Sequence, residues 1–287
     1  MHNPLGAVRA LHLNLYDFAV WSPEGAIYDR LQPSNNCNDS YSVAKAFVMT
    51  AVGMLFDDRR LDPAEPILKY FGRVPGMDEK WARVTIDHAL THRIGFDEGF
   101  LDIDAEDVNA YPTDDYLQLL LSHPLALQPG EERHYSDAAF YLLSRLVERV
   151  SGQDVEAFLN ERLFRPARFR EYAWSRCPLG HPIGATGLYL RADDMVKLGA
   201  IYAGRGVYEG RRYLSEEWIE RAYAREYELH PRAASANPDR PEWRMKGGMH
   251  GQGLLIHASR PLAAAWHGFM DEDHSQEIID CLSDLYL

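Results

Sequence analysis

Two residues in the first quarter of the chain, Ser42 and Lys45, have types and a spacing that suit nucleophilic catalysis. The segment from Ser42 to Phe56 is apolar on every face of a predicted helix, and Lys45 is its only charge, which predicts a helix buried at the centre of the protein. Residues three apart on a helix point the same way, so an amine lies beside the hydroxyl at the helix N-terminus. Apolar surroundings disfavour the ammonium form of Lys45, which can then help to take the serine proton. In the alternative interpretation, Ser42 is only an N-cap and the Lys45 ammonium reaches solvent.

A second candidate, Tyr135, heads the triplet Tyr135-Ser136-Asp137 at the start of a helix predicted to run to Val150. Tyrosine is a poor base at neutral pH, but two neighbouring lysines favour its phenolate, which can relay a proton to the leaving group. Asp137, two residues beyond Tyr135, is expected on the wall of the substrate groove, where it would determine substrate selectivity. Taken alone, the triplet also fits a packing tyrosine beside an N-cap at Ser136 or Asp137.

The third candidate, Lys246, opens a glycine-rich run that extends from Gly247 to Gly253. Glycines in a strand let another backbone or a ligand approach closely. A substrate is therefore predicted to lie along the edge of the strand that contains this run, by strand addition. The backbone N–H groups of Met249 and Ser42 are predicted to form an oxyanion hole. The residues expected to contact substrate here are Gly248, Met249 and His250. The alternative is a bulged turn.

Strand-forming residues at the two ends of the chain must position these groups. They predict one hairpin from Leu13–Val20 with Ala26–Leu31 and a second from Gly253–His257 with Leu262–His267. The middle is mainly helical, with predicted helices at 136–150 and 154–164 and a third beginning at Ser215.

These elements predict an α+β fold, in which an antiparallel β-sheet is flanked by helices and joined to a mainly helical lobe. We expect a single domain over residues 1–287. Its α/β lobe takes in residues 1–41 and about 195–287, and its helical lobe takes in about 42–194.

The order Ser-x-x-Lys, Tyr-x-Asp and Lys-x-Gly at positions 42, 135 and 246 resembles the β-lactamase and penicillin-binding protein superfamily, closest to its class C and esterase branch. Residues 61–67 and 84–95 look like that family's connecting segments, and the resemblance covers most of the chain from about residue 18 to residue 267. It implies a β-lactamase/transpeptidase-like fold with a five-stranded antiparallel sheet, a helical lobe and an active site in the groove between them.

The resemblance also implies a role for each motif residue. Ser42 is the nucleophile that becomes acylated, and Lys45 and Tyr135 handle the proton. Lys246 orients Tyr135 or a substrate carboxylate.

Two departures from the family pattern affect the expected substrate. Asp137 stands where an asparagine is usual, and an ionised carboxylate accepts hydrogen bonds but donates none. Gly247 stands where threonine or serine is usual, so a hydroxyl that could bind a substrate carboxylate is missing. Both changes disfavour penicillin-like substrates.

Composition and charge narrow the partners to small molecules. The net charge of −13 disfavours nucleic acid and anionic membranes, and the longest apolar stretch is well below the roughly 20 residues needed to span a bilayer. Three cysteines without a CxxC pattern suit reduced thiols, and residues 1–20 show no secretory pattern. We therefore expect a cytoplasmic protein.

No cofactor or metal is expected. His88 and His92 have the four-residue spacing of a helical zinc site but lack an obvious third ligand. The acidic segment from Asp97 to Asp107 lacks the central glycine and closing glutamate of a calcium loop and is predicted to be exposed.

Three hypotheses for function remain open. The first is an acyl-serine esterase or amidase acting on a small ester, amide or lactam. The second is a β-lactamase or D-alanyl-D-alanine peptidase, and the third is a binding or sensor protein that keeps the groove without turnover. The sequence leaves the oligomeric state and the natural substrate open.

Overall fold

The computed structural model describes residues 4–286, which contain nine α-helices and eleven strands. The helices are α1 (Pro4–Ala10), α2 (Ala44–Asp57), α3 (Ile86–Leu90), α4 (Tyr116–Ser122), α5 (Asp137–Ser151), α6 (Val155–Leu159), α7 (Ala192–Ala203), α8 (Glu216–Ala224) and α9 (Ser275–Tyr286). The strands are β1 (Leu15–Ser22), β2 (Gly25–Arg30), β3 (Asn38–Asp39), β4 (Tyr172–Trp174), β5 (Leu188–Leu190), β6 (Val207–Tyr208), β7 (Arg211–Arg212), β8 (His230–Arg232), β9 (Trp243–Gly248), β10 (Gln252–His257) and β11 (Ala263–Gly268).

The largest sheet joins the two ends of the chain. Both predicted hairpins form, β1 with β2 and β10 with β11, and β1 pairs with β11 to join them. The strand order is β2-β1-β11-β10-β9-β8, and every pairing is antiparallel. The α+β fold class is therefore confirmed.

The expectation of five strands is wrong, because β8 adds a sixth at the edge. His230 pairs with Met245 and Arg232 with Trp243. The strand has only three residues and contains Pro231, so the sequence carries no alternating pattern that would identify it. Proline has no N–H to donate, and an edge strand is where a sheet tolerates this.

The described chain divides into two compact units. The first consists of residues 4–46, 163–173 and 188–286, and it contains the six-stranded sheet. The second consists of residues 47–162 and 174–187, and it contains helices α3 to α6.

Each face of the six-stranded sheet buries its own apolar layer, as the alternation of side chains along a strand requires. Phe18 and Trp266 belong to a buried cluster that also includes Ile278 and Leu282 of α9. Helix α7 lies against β1, β10 and β11. A side chain at Gly199 of α7 would meet the Ala263 side chain at 2.8 Å, so the glycine permits this close packing.

A buried histidine closes the turn between β10 and β11. The Nδ1 atom of His257 accepts hydrogen bonds from the backbone N–H groups of Ser259 and Arg260, at 3.3 and 3.1 Å. Burial lowers the pKa of His257 below its usual range; the Glu242 carboxylate opposes this shift, and the nearby Arg260 adds to it. The turn is therefore built around the neutral ring.

The second unit is organised around α5, which is buried from Asp137 to Val147. The helix ends where Gly152 takes the left-handed conformation, with φ of 82°. In residues 4–286, no helix is both long enough and apolar enough to cross a membrane.

Candidate active site

The turn that carries Ser42 is fastened on its N-terminal side. The sequence predicts that the α-helix starts at Ser42, but α2 starts at Ala44. Ser42 lies instead in a single 3₁₀ turn, from Tyr41 to Val43, that directly precedes α2. The Ser40 hydroxyl donates to the Leu188 carbonyl at 2.8 Å, and the Tyr41 N–H donates to the Asp39 carboxylate at 2.8 Å. Tyr41 has a φ of 46°, a strained value for a bulky residue and one that clusters at functional sites.

Lys45 lies directly beside Ser42. Its Nζ atom is 2.9 Å from Ser42 Oγ, within hydrogen-bond distance, and its residue exposure is 0%. The alternative in which the ammonium reaches solvent is therefore wrong. The predicted burial of this helix is confirmed, since every residue from Val43 to Leu55 is buried. A half-buried serine hydroxyl and a fully buried amine are therefore in contact.

The lysine of the third motif has a partner that the sequence did not indicate. Lys246 lies in β9 opposite Leu254 of β10, and its ammonium forms an ion pair with the Glu228 carboxylate. The side chains of Lys246 and Glu228 are only 5% and 0% exposed. Their opposite charges therefore meet inside the protein.

The glycine run has distinct steric roles at successive positions. A Cβ atom at Gly248 would lie 2.5 Å from the Ser40 carbonyl oxygen, so this glycine lets β9 approach the turn that carries Ser42. A Cβ at Gly247 would meet no atom closer than 3.8 Å. At Gly253, a Cβ would clash with the Trp266 ring at 2.1 Å. Only Gly247 of these three has room for a side chain or a ligand.

The buried Gln252, which no sequence motif marks, fixes the turn after β9. The Gln252 side-chain amide donates to the carbonyls of Met249 and Gly268, at 3.1 and 2.8 Å. Its side-chain oxygen accepts from the Gly268 N–H at 3.0 Å. This clamp sets the position of Met249, whose N–H is the expected oxyanion donor.

Aromatic rings surround the predicted substrate residue His250. The His250 ring stacks on Phe269 with centroids 4.3 Å apart, and it meets the edge of Tyr41 at 5.4 Å. Phe269 and Met249 are exposed. The surface next to the Ser42 turn is therefore apolar and aromatic, and a role for His250 in binding substrate stays a prediction.

A cavity of about 260 Å³ lies beside the end of β9. Gly247, Gly248 and His250 contribute to its lining, and so does the acidic segment from Asp271 to Asp273. Asp273 is held by Arg232 at 3.2 Å and by the Ser275 N–H at 2.9 Å.

The second unit carries Tyr135, which precedes α5. The Tyr135 ring packs on His92 with centroids 4.5 Å apart, and His92 Nδ1 accepts the Ser136 N–H at 3.2 Å. The Ser136 hydroxyl donates to the Phe100 carbonyl at 3.0 Å. Tyr135 stays 39% exposed, so its ring is held while part of it faces solvent.

The His88 and His92 rings of the suggested zinc pair each accept a hydrogen bond from a backbone N–H group. His88 Nδ1 accepts from the Thr85 N–H at 3.3 Å and so completes the N-terminal capping box of α3. His92 fastens the segment before α5, as described above. Both rings therefore have structural roles in the second unit.

Asp137, predicted to determine selectivity, is the buried first residue of α5. Its carboxylate belongs to a group with Asp102 and Asp104, whose oxygens all lie within 4.8 Å of one another. The Thr186 hydroxyl donates to Asp104 at 2.5 Å. The expectation of an exposed segment holds at residues 97–99, 104, 105 and 107, while Leu101 in the same segment is buried.

Comparison with known proteins connects these features to one family. The model of the beta-lactamase family matches residues 35–272. A 6-aminohexanoate-dimer hydrolase of Paenarthrobacter ureafaciens is 27% identical over 198 residues, which cover 64% of this chain and 50% of that protein. The chain spans about half the length, or less, of the curated relatives it matches first.

Solved structures give the same fold at low sequence identity. A penicillin-binding protein homologue from Caulobacter crescentus superposes with a TM-score of 0.75 at 15% identity, covering 99% of this chain and 98% of that one. The hydrolase EstCE1, described as having promiscuous acyltransferase activity, has a TM-score of 0.71 at 15% identity, with coverages of 99% and 97%. At such identities the likeness concerns the fold alone.

Proposed function

Because this chain belongs to the beta-lactamase family of hydrolases, we propose that it is an esterase or amidase that forms an acyl-enzyme on Ser42 with a small substrate. The observation that carries the proposal is the 2.9 Å contact between Ser42 Oγ and the buried Lys45 Nζ. The strained, fastened turn at Tyr41 supports it, because such strain clusters where a side chain must be held for chemistry.

The proposed reaction begins with attack of Ser42 Oγ on the acyl carbonyl carbon. Lys45 takes the hydroxyl proton, and the backbone N–H groups of Ser42 and Met249 stabilise the oxyanion. Tyr135 is proposed, from its place in the order of the three motifs, to return a proton to the leaving group. Water then attacks the ester of Ser42 and releases the acid.

Two features support neutral esters and amides over lactams. Gly247 presents no hydroxyl to a substrate carboxylate, and the Asp137 carboxylate, when ionised, donates no hydrogen bond to the acylamino side chain of a penicillin-like substrate. A buried polar group left without a partner loses roughly 1–3 kcal/mol of binding, which is enough to demote a substrate class. The aromatic surface at Tyr41, His250 and Phe269 suits an apolar acyl chain.

The test combines covalent labelling with a substrate panel. A fluorophosphonate should add one adduct by intact mass, peptide mapping should place it on Ser42, and Ser42→Ala should abolish it. Ser259→Ala, at an exposed turn, is the matched control and should label like wild type. Aryl esters of several chain lengths are then compared with a chromogenic cephalosporin.

Three results would contradict the proposal, each in a different way. A label on another serine would displace Ser42 as the nucleophile. Cephalosporin turnover with the higher kcat/KM would reverse the ranking of substrates. Complete absence of labelling in folded protein would favour a binding protein without turnover.

A further inference from the structure

We propose that Glu228 is a positioning residue that occupies the ammonium of Lys246 and thereby selects acyl substrates that carry no carboxylate. This inference rests on the proposed function and names a substrate class for it. The family resemblance left Lys246 two roles, orienting a tyrosine or binding a substrate carboxylate. The ion pair between Lys246 and Glu228 argues against the second role, binding a substrate carboxylate.

The first step is the burial of both charges. The Lys246 and Glu228 side chains are 5% and 0% exposed, and they form an ion pair. A buried carboxylate is tolerated when an opposite charge or hydrogen bonds compensate it. Lys246 compensates the charge of Glu228, and a substrate carboxylate would have to compete with an anion that the fold already supplies.

The second step is the place of Glu228 at the sheet edge. The pairing between β8 and β9 begins with His230 opposite Met245. Lys246 to Gly248 are thus the part of β9 that extends beyond the first residue of β8, and they form the expected substrate edge. Glu228 comes two residues before β8, so the chain delivers its carboxylate at this edge.

The third step is the backbone at Glu228. Its φ is 57°, and the Leu229 N–H donates to the Tyr227 carbonyl at 2.7 Å, which closes a three-residue turn around it. A positive φ at the centre of such a turn is the rare and strained form. Tyr227 and Leu229 are both fully buried and anchor the turn on either side. Strain of this kind persists where the surrounding structure imposes it, and it clusters at functional positions.

Selectivity follows from the charges. A substrate carboxylate near Lys246 would meet the repulsion of Glu228 as well as the attraction of the ammonium, whereas an ester or amide with an uncharged acyl group avoids this repulsion. Gly247 adds no hydroxyl that would compensate a second anion. The preferred substrates therefore carry no charge on the part of the acyl group that lies near Lys246.

The experiment compares two esters of equal chain length, 4-nitrophenyl hexanoate and mono-4-nitrophenyl adipate, after subtraction of their spontaneous hydrolysis. Wild-type protein should prefer the hexanoate by at least about tenfold in kcat/KM, and Glu228→Gln should raise the adipate-to-hexanoate ratio by at least about tenfold, mainly through KM for the adipate. Glu228→Asp keeps the charge and should keep the wild-type preference for the hexanoate.

The matched control is Asp194→Asn. This change removes another fully buried carboxylate of the same unit, which pairs with Lys197 at 2.6 Å. A loss that is only structural would lower both rates together, so the control should leave the ratio unchanged.

An unchanged ratio in folded Glu228→Gln would overturn the role of Glu228, even if the hexanoate is hydrolysed at Ser42. A wild-type preference for the adipate would overturn it too, and this result needs no variant that folds. Absence of a fluorophosphonate label on Ser42 would instead refute the proposed function itself.

Discussion

The neighbouring glycines at the end of β9 should respond in opposite ways to one added methyl group. Gly248→Ala puts a Cβ at 2.5 Å from the Ser40 carbonyl oxygen, whereas ordinary contact begins at 3.4 Å. Gly247→Ala meets nothing closer than 3.8 Å. Gly248 has an extended backbone with φ of −123° and ψ of 162°, so the conflict is one of space alone.

The size of the effect follows from what must move. Relieving the clash at Gly248 requires a shift of almost one ångström between two backbone segments, and overpacking of this kind typically costs about 1–3 kcal/mol of stability. Ser40 is two residues before Ser42, and a displacement of about 1 Å at a reacting group can cost about 10²-fold in rate. Gly247→Ala should stabilise the fold by about 0.4–1 kcal/mol, because it restricts the unfolded chain.

The assay measures two quantities on each variant. Urea unfolding gives the free energy of unfolding, and the second-order rate of fluorophosphonate labelling reports the position of Ser42. We expect Gly248→Ala to lower both the free energy of unfolding and the labelling rate. Gly247→Ala should be labelled at a rate within about threefold of wild type. Equal effects at the two positions, or a wild-type labelling rate in Gly248→Ala, would refute the steric reasoning.

Three further predictions concern the other groups of the site and the fold. Lys45→Met should slow labelling of Ser42 by at least about 10²-fold, the usual loss of a positioned base, and a wild-type rate in the folded variant would show that another group takes the proton. Asp137→Asn should keep ester hydrolysis within about tenfold, a barrier change of roughly 1.4 kcal/mol, and improve acylation by amide-bearing β-lactams; a loss of 10³-fold would make Asp137 catalytic. The lowered pKa of His257 means that the folded protein resists its protonation, so its contribution to stability is complete above about pH 6.5 and declines as the pH falls below that value. As the pH is lowered from 8 to 5, the urea midpoint should therefore fall more steeply in wild type than in His257→Asn, which keeps an acceptor without the titration. Parallel curves for the two proteins would contradict this.

Local patterns were sufficient to predict much of this fold. The two hairpins follow from strand-forming segments separated by turn residues, and the buried helix after Ser42 follows from a long apolar segment with one charge. The contact between Ser42 and Lys45 follows from helical spacing, which survives even though Ser42 lies in a 3₁₀ turn.

The contacts that could not be predicted join segments that are distant in the sequence. Glu228 is an ordinary glutamate in a charged stretch, and only the tertiary structure brings it to Lys246. The role of Gly248 likewise depends on the Ser40 carbonyl, some two hundred residues away. The sixth strand was missed because three residues with a central Pro231 carry no periodicity.

The proline in that outermost strand also bears on how copies of this protein behave at high concentration. An exposed strand edge is a template on which another chain can pair and begin to aggregate. Pro231 lacks the N–H that an incoming strand would need at this position, and β8 is too short to offer many others. The sheet is thus protected against growth at the edge nearest to Lys246 by one residue that has no part in the chemistry.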